Sequence, residues 1–302
     1  MTDRASDDAD TAFASFEQKW LAANPEQVMI APFIAPAARL RVTAFGCLVH
    51  ELETAAYEIQ EPDVAAAKLA WWAQELEIAA TGHARHPVTH ALFDEAARAA
   101  DRSLWPALAV GALKQVEPHA CASLDELIEQ REPFSLAIAD AESALFLDGS
   151  ANIDVNAALW TLSALLRALR FIEPEPEPSL DEPRQANSRP QESRVHERLP
   201  LPLDLLARHG LTRADLATPS PARNSLFREY LTALRFEIVG AQGVASARTL
   251  AQRVRVRSDL ALIARALKAP DAVAYMGSHP SGGRLRGLFD TWREARALAR
   301  GG

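Results

Sequence analysis

The sequence predicts an all-α fold, and three observations carry that reading. Apolar residues recur at three- and four-residue steps through alanine-rich stretches, glycines number only 13 in 302 residues, and no long β-branched alternation interrupts the pattern. The elements follow in order. After an acidic stretch over 1–11, read as a disordered, frayed tail, Phe13, Phe16, Trp20 and Leu21 mark a first amphipathic helix. Pro32 and Pro36 bracket a break, and 39–59 then offers Leu40, Phe45, Leu48, Leu52 and Tyr57 to a buried face. Pro62 ends that helix. Asp63 is placed to cap the next, 64–80, whose Leu69, Trp72, Leu76 and Ala79 share one face and which Gly82 stops. Further helices are expected over 88–100, 104–116, 124–130, 134–146 and 155–169, with the short connections of an antiparallel bundle.

The tract 173–197 breaks this pattern. Pro174, Pro176, Pro178, Pro183 and Pro190 stand among Glu, Ser, Arg and Gln with almost no apolar residues, so a disordered insertion is expected inside a single helical domain over 12–302. Helical periodicity resumes over 201–208 and from 225 to 266, with a break expected near Gly240 and Gly243. A last helix, 284–300, follows Ser281-Gly282-Gly283, and no repeat of fixed period is visible.

Composition bounds the function. A net charge of −8 and a pI near 5.6 exclude a generic nucleic-acid binder, which needs clustered excess Lys and Arg. Cys47 and Cys121 sit among apolar or small residues and suit buried thiols in a reducing compartment. No apolar run approaches the ~18 residues of a membrane span, and the acidic start is unlike a signal peptide, so a cytoplasmic protein with at most peripheral membrane contact is expected.

Two segments carry more specific information. One is Lys68-Leu69-Ala70-Trp71-Trp72 with Glu75-Leu76 and His86-Pro87-Val88 behind it; the other is Arg198-Leu199-Pro200-Leu201-Pro202 through His209-Gly210-Leu211. In that order they resemble the squalene/phytoene synthase family, with its "rLaWWreEL…HPv" and "GRvYLP…lL…G" segments. The resemblance implies an isoprenoid-synthase bundle of antiparallel helices around a central, largely apolar cavity. It also implies two Asp-rich motifs on facing helices, which hold magnesium against a prenyl diphosphate. Carboxylates at i and i+4 put hard oxygen ligands on one helix face, as that chemistry requires.

The aspartates are missing from both places. Aligned on Glu61-Pro62, the first motif falls on Glu53 to Glu58, keeping Glu53 but replacing its i+4 partner with Tyr57; a looser register puts it on His50, Glu51 and Thr54. Solvated surface is the plainer reading of Glu51, Glu53 and Glu58. In the second motif Arg167 matches the family's arginine, while Ala168 and Ile172 stand where two metal-binding aspartates belong. Arg198 replaces the expected tyrosine, and Glu173, Glu175 and Glu177 alternate with prolines too loosely for a preorganised metal site.

The candidate catalytic residues are therefore Glu51, Glu53 and Tyr57, and the candidate binding residues for an anionic head group are Arg41, His50 and Arg167. No metal site is expected, and no cofactor, with magnesium called for only if the chain is active. His83, His86 and His90 lack the further ligand of a zinc site. Trp71 and Trp72 point to different faces of one helix, so one belongs to the core and the other is partly exposed. The basic run Arg248, Arg253, Arg255, Arg257, Arg265 and Lys268 reads first as a solvated helix face, and otherwise as a dock for an anion or an acidic partner. Three functions stay open: a non-catalytic pseudoenzyme acting as an isoprenoid- or lipid-binding or assembly scaffold, an active prenyl transferase with an altered metal site, and a helical protein-interaction module.

Overall fold

A computed structural model of the chain describes residues 3–117, 120–148, 150–169, 199–277 and 284–301. The insertion expected over 173–197, together with Arg198 and Ser281-Gly282-Gly283, lies outside them. Every described regular element is helical: α1 (Asp3–Ala23), α2 (Pro36–Tyr57), α3 (Pro62–Ala79), α4 (Pro87–Leu92), α5 (Glu95–Ala99), α6 (Leu104–Leu113), α7 (Leu124–Phe146), α8 (Ile153–Ala168), α9 (Leu203–Arg208), α10 (Pro221–Gly243), α11 (Leu250–Ala266), α12 (Ala272–Gly277) and α13 (Arg284–Gly301). Short 3-10 turns occupy Pro25–Met29 and Ala31–Phe33 between the first two helices. α1 begins at Asp3, inside the stretch read as a tail.

Local chemistry explains where the helices stop. Ser123, Asn152, Ser220 and Thr249 each accept a backbone N–H from the first turn of the helix they precede. Pro62 sits at the first position of α3, with Glu61 before it, so Asp63 lies inside the first turn and is not the cap. Gly82 takes a φ of 90° after α3, and Gly210 a φ of 64° after α9, where any Cβ would be strained.

Two expectations are corrected. The helix expected over 88–100 is two short ones, because Asp94 leaves the helical path and caps α5 through the Ala97 N–H. The pieces 124–130 and 134–146 are one continuous helix with Pro133 inside it. The ring removes one hydrogen bond but does not break α7, which packs along its length on α6 and α8. Gly111 of α6 meets α7 at this point; a Cβ there would stand 2.9 Å from the Phe134 Cα.

The apolar interior forms two clusters that share α8. Trp20, Leu48, Leu52, Leu69, Trp72, Trp105 and Phe134 belong to the first, while Leu165, Leu166, Phe227, Tyr230, Leu234 and Ile263 belong to the second. Ala157 and Trp160 of α8 face the first cluster; Leu159, Leu162 and Leu166 face the second. α8 is thus a central partition, and α7, α10 and α11 pack against it.

Candidate functional site

Both signature segments serve as braces. The Glu75 side chain is fully buried and accepts from the Arg85 N–H (2.7 Å), the His86 N–H (2.9 Å) and the Thr89 hydroxyl (2.6 Å), with Arg85 Nε at 3.0 Å. Burial alone would raise its pKa, yet these donors outweigh burial and hold the carboxyl below its ordinary value. His86 caps α4 through the Val88 N–H and stands edge-on to Trp72 (4.7 Å), Phe16 (4.8 Å) and Trp71 (5.7 Å). Trp72 is 1% exposed and Trp71 41%, the division between core and surface that helical geometry predicts. In the second segment Tyr230 donates its hydroxyl to the Pro200 carbonyl (2.8 Å), and Arg213 donates to those of Leu199 and Leu201. These residues hold loops against helices.

The candidate residues divide between two settings. Arg41 donates to Asp94 (2.7 Å) beside the Phe146 ring, Glu51 is bound by Lys68 of α3 (3.0 Å), and His50 acts electrostatically on Glu58, the residue that follows α2. Tyr57 lies against Phe134 with the Arg131 guanidinium 4.3 Å over its ring; burial pushes its hydroxyl up. None of these meets Arg167. Glu53 does come near it, adding to the field on both Arg167 and Arg255.

Around Arg167 the interior holds a closed ion cluster. Its Nη2 donates to Glu26 (2.6 Å), Nη1 donates to Asn24, Nε donates to Ser163 (3.3 Å), and Asp259 lies 3.9 Å away. Ser163 in turn donates to Asp259 (2.6 Å). Burial would raise the Glu26 carboxyl, but the Arg167 guanidinium overrides it and takes the group down to about 2. Arg167 stays firmly charged because Glu26 and Asp259 outweigh its own burial.

Neither acid was singled out by the sequence reading. Asp259 was legible as a polar residue on the apolar stripe of Val256, Ile263 and Ala266, while Glu26 on a 3-10 turn gave no periodic signal. The basic run is not a plain solvated face either: Arg253 and Arg257 bridge α11 to Asp290 and Glu294 of α13, and Arg255 is buried.

Beside this cluster lies a cavity of about 260 Å³ between α1, α2, α7, α8 and the start of α11. Its walls are mainly apolar, with Trp20, Phe45, Phe146 and Trp160 among them, and Gly46 leaves room for the Trp20 indole. Arg255 enters one wall, 6% exposed, its guanidinium 4.0 Å over the Trp160 ring. Burial lowers its pKa to about 10, and Arg167 adds to the effect. Glu142 lines the same cavity, buried, with its carboxylate accepting from Trp160 Nε1 (2.9 Å) and from the Thr249 hydroxyl (2.6 Å). Burial pushes that carboxyl up.

The described residues do not supply the carboxylate set that a magnesium cluster takes. Among the described residues no group of three or more His, Cys, Asp or Glu side chains could hold a metal, and Glu26, Asp259 and Glu51 are engaged by cations of the chain itself. No helix among them is long and apolar enough to cross a membrane. Cys47 and Cys121 are buried thiols, Cys121 donating to the Gln130 side chain (3.1 Å), and burial drives the Cys47 thiol up to about 12.

This architecture is that of an isoprenoid-synthase-type helical bundle. A solved structure described as a dehydrosqualene synthase in complex with ligand superposes with a TM-score of 0.65 at 12% identity, covering 98% of this chain and 99% of that one. No protein-family model matches the sequence, and no curated protein matches it.

Proposed function

We propose that the chain is a squalene/phytoene synthase-like protein that carries out no prenyl transfer and acts as an isoprenoid- or lipid-binding or assembly scaffold. The observation that carries the reading is the closed cluster at Arg167. In this fold the arginine that would attract a diphosphate donates instead to Glu26, Asn24 and Ser163, and Asp259 is turned to the same group. A diphosphate brings several negative charges that develop further as it leaves, and binding a charge asks less than stabilising a developing one. At the motif positions stand Glu53 and Tyr57 of α2 and Ala168 at the end of α8, of which only Glu53 carries a carboxylate.

The cavity's mainly apolar lining supports the lipid-binding half of the proposal, and its small size counts against a two-chain condensation. At about 260 Å³ it falls below the ~300–1,000 Å³ usual for small-molecule sites, and two prenyl chains side by side exceed it. Glu53 favours the second reading, a magnesium-dependent transferase with an altered metal site, because it alone of the candidate acids stays near Arg167 and Arg255. Incubation with farnesyl or geranylgeranyl diphosphate and magnesium or manganese separates the two. The proposal expects no pyrophosphate above a heat-killed control; squalene, phytoene or their cyclopropyl intermediates would promote the transferase, with Glu53→Gln as the first variant to try.

A further inference from the structure

The Arg255 guanidinium stands out among the buried cations. It is 6% exposed, lies over Trp160, and donates no hydrogen bond to any described residue, although a guanidinium carries five donors in a planar fork. Glu26, Glu53, Asp259 and Glu142 act on it through their fields alone. Glu142, the acid on its own cavity wall, spends its two oxygens on Trp160 and Thr249. A buried charge without a hydrogen-bonded partner is costly, and one that faces a cavity is a site for an incoming anion.

The remaining walls say what kind of anion. Trp20, Val42, Phe45 and Phe146 offer an apolar lining that suits a hydrocarbon chain. Against the yardstick of a ~150 Å³ cavity that takes one benzene, about 260 Å³ accommodates roughly ten heavy atoms. One guanidinium whose donors no described residue takes up matches one carboxylate in a bidentate pair, whereas the carboxyl of Glu142 on the same wall penalises a head group of higher charge.

We propose that this cavity binds a medium-chain monocarboxylate, its head on Arg255 and its chain against Trp20, Val42, Phe45 and Phe146, with no metal. The inference rests on the lipid-binding reading above and specifies its ligand: a single-chain amphiphile with one negative charge.

Isothermal titration of the purified chain with decanoate, decanol and farnesyl diphosphate, each with magnesium and with chelator, tests it. Decanoate should bind equally well in both conditions, and decanol, equal in length but uncharged, about tenfold to a hundredfold more weakly, the range for losing a hydrogen-bonded ion pair. Arg255→Met should remove the preference for decanoate over decanol while melting no lower than the parent, since it deletes an unpaired buried charge. Val42→Phe, which narrows the cavity without touching the cation, should weaken both ligands. Absence of decanoate binding, equal affinity for decanol, an unchanged preference in Arg255→Met, or tighter binding of farnesyl diphosphate than of decanoate would each overturn the inference. A protein that releases no pyrophosphate and ignores decanoate sinks this inference alone; one that binds decanoate as described and also releases pyrophosphate sinks the non-catalytic reading alone.

Discussion

Replacing Arg167 with Met is the perturbation that bears most heavily on the Arg167 cluster. The guanidinium is 13% exposed and its chief partner, Glu26, 5%, so the substitution leaves Glu26, Asn24 and Asp259 buried around an apolar side chain. Removing one partner of a buried pair costs roughly 3–5 kcal/mol, mostly as the penalty of the charge left behind. For a chain of 302 residues each kcal/mol lowers the melting temperature by roughly 1.5 °C, so a fall of about 5–8 °C is expected by circular dichroism.

The pH dependence sharpens the test. In the parent, Glu26 is held below its unfolded value, so its stabilisation is present above about pH 4.5 and is lost as pH falls toward about 2. In the variant the guanidinium is gone, so burial, the largest influence on Glu26, is opposed only by Arg255 and a backbone hydrogen bond; the carboxyl rises relative to the parent, protonation relieves the penalty, and the deficit should shrink as pH falls below neutral. An arginine kept free for a substrate would behave otherwise, since its removal commonly leaves stability unchanged or improved. A melting temperature within about 2 °C of the parent at neutral pH would refute the closed-cluster argument.

Three further outcomes test the scaffold. Trp72→Ala should cost about 3–5 kcal/mol, with Trp71→Ala much milder because its ring is partly exposed; paired urea melts check the ratio. Glu75→Gln should lose roughly 1–3 kcal/mol, since an amide turns a donor toward groups that now all donate, and hydrogen exchange at the Arg85 and His86 amides should accelerate. Gly111→Ala should cost about 1–3 kcal/mol, because the new methyl meets the α7 backbone and no flexible side chain can yield, which a thermal melt reads directly.

The periodic apolar pattern made the helices legible, and the Trp71-Trp72 and His209-Gly210 segments pointed to the bundle, but the interior chemistry was only half visible. The split expected between 130 and 134 misled, because packing on α6 and α8 outweighs the one hydrogen bond that Pro133 removes. Glu51, placed by the looser motif alignment, and Arg41 stood among the candidates; Lys68 and Asp94, distant in sequence, pair with them. Arg167 was found through the motif it shares. Its partners were not, because Glu26 and Asp259 come from a 3-10 turn and from α11, and long-range pairing leaves no local trace. Arg255 was hidden within a basic run, where its place on the inner face of α11 depends on the position of Trp160.

The most direct measurement of the central claim is manganese binding followed by electron paramagnetic resonance, with the protein in excess and farnesyl diphosphate present or absent. A diphosphate site built on facing carboxylates immobilises manganese when the ligand is added, because metal ions bridge the diphosphate oxygens to the protein. With Glu26 and Asp259 committed to Arg167, the chain is expected to leave the spectrum identical to that of manganese and diphosphate without protein. A protein-dependent loss of the free signal on adding the diphosphate, abolished by Glu53→Gln, would contradict the account.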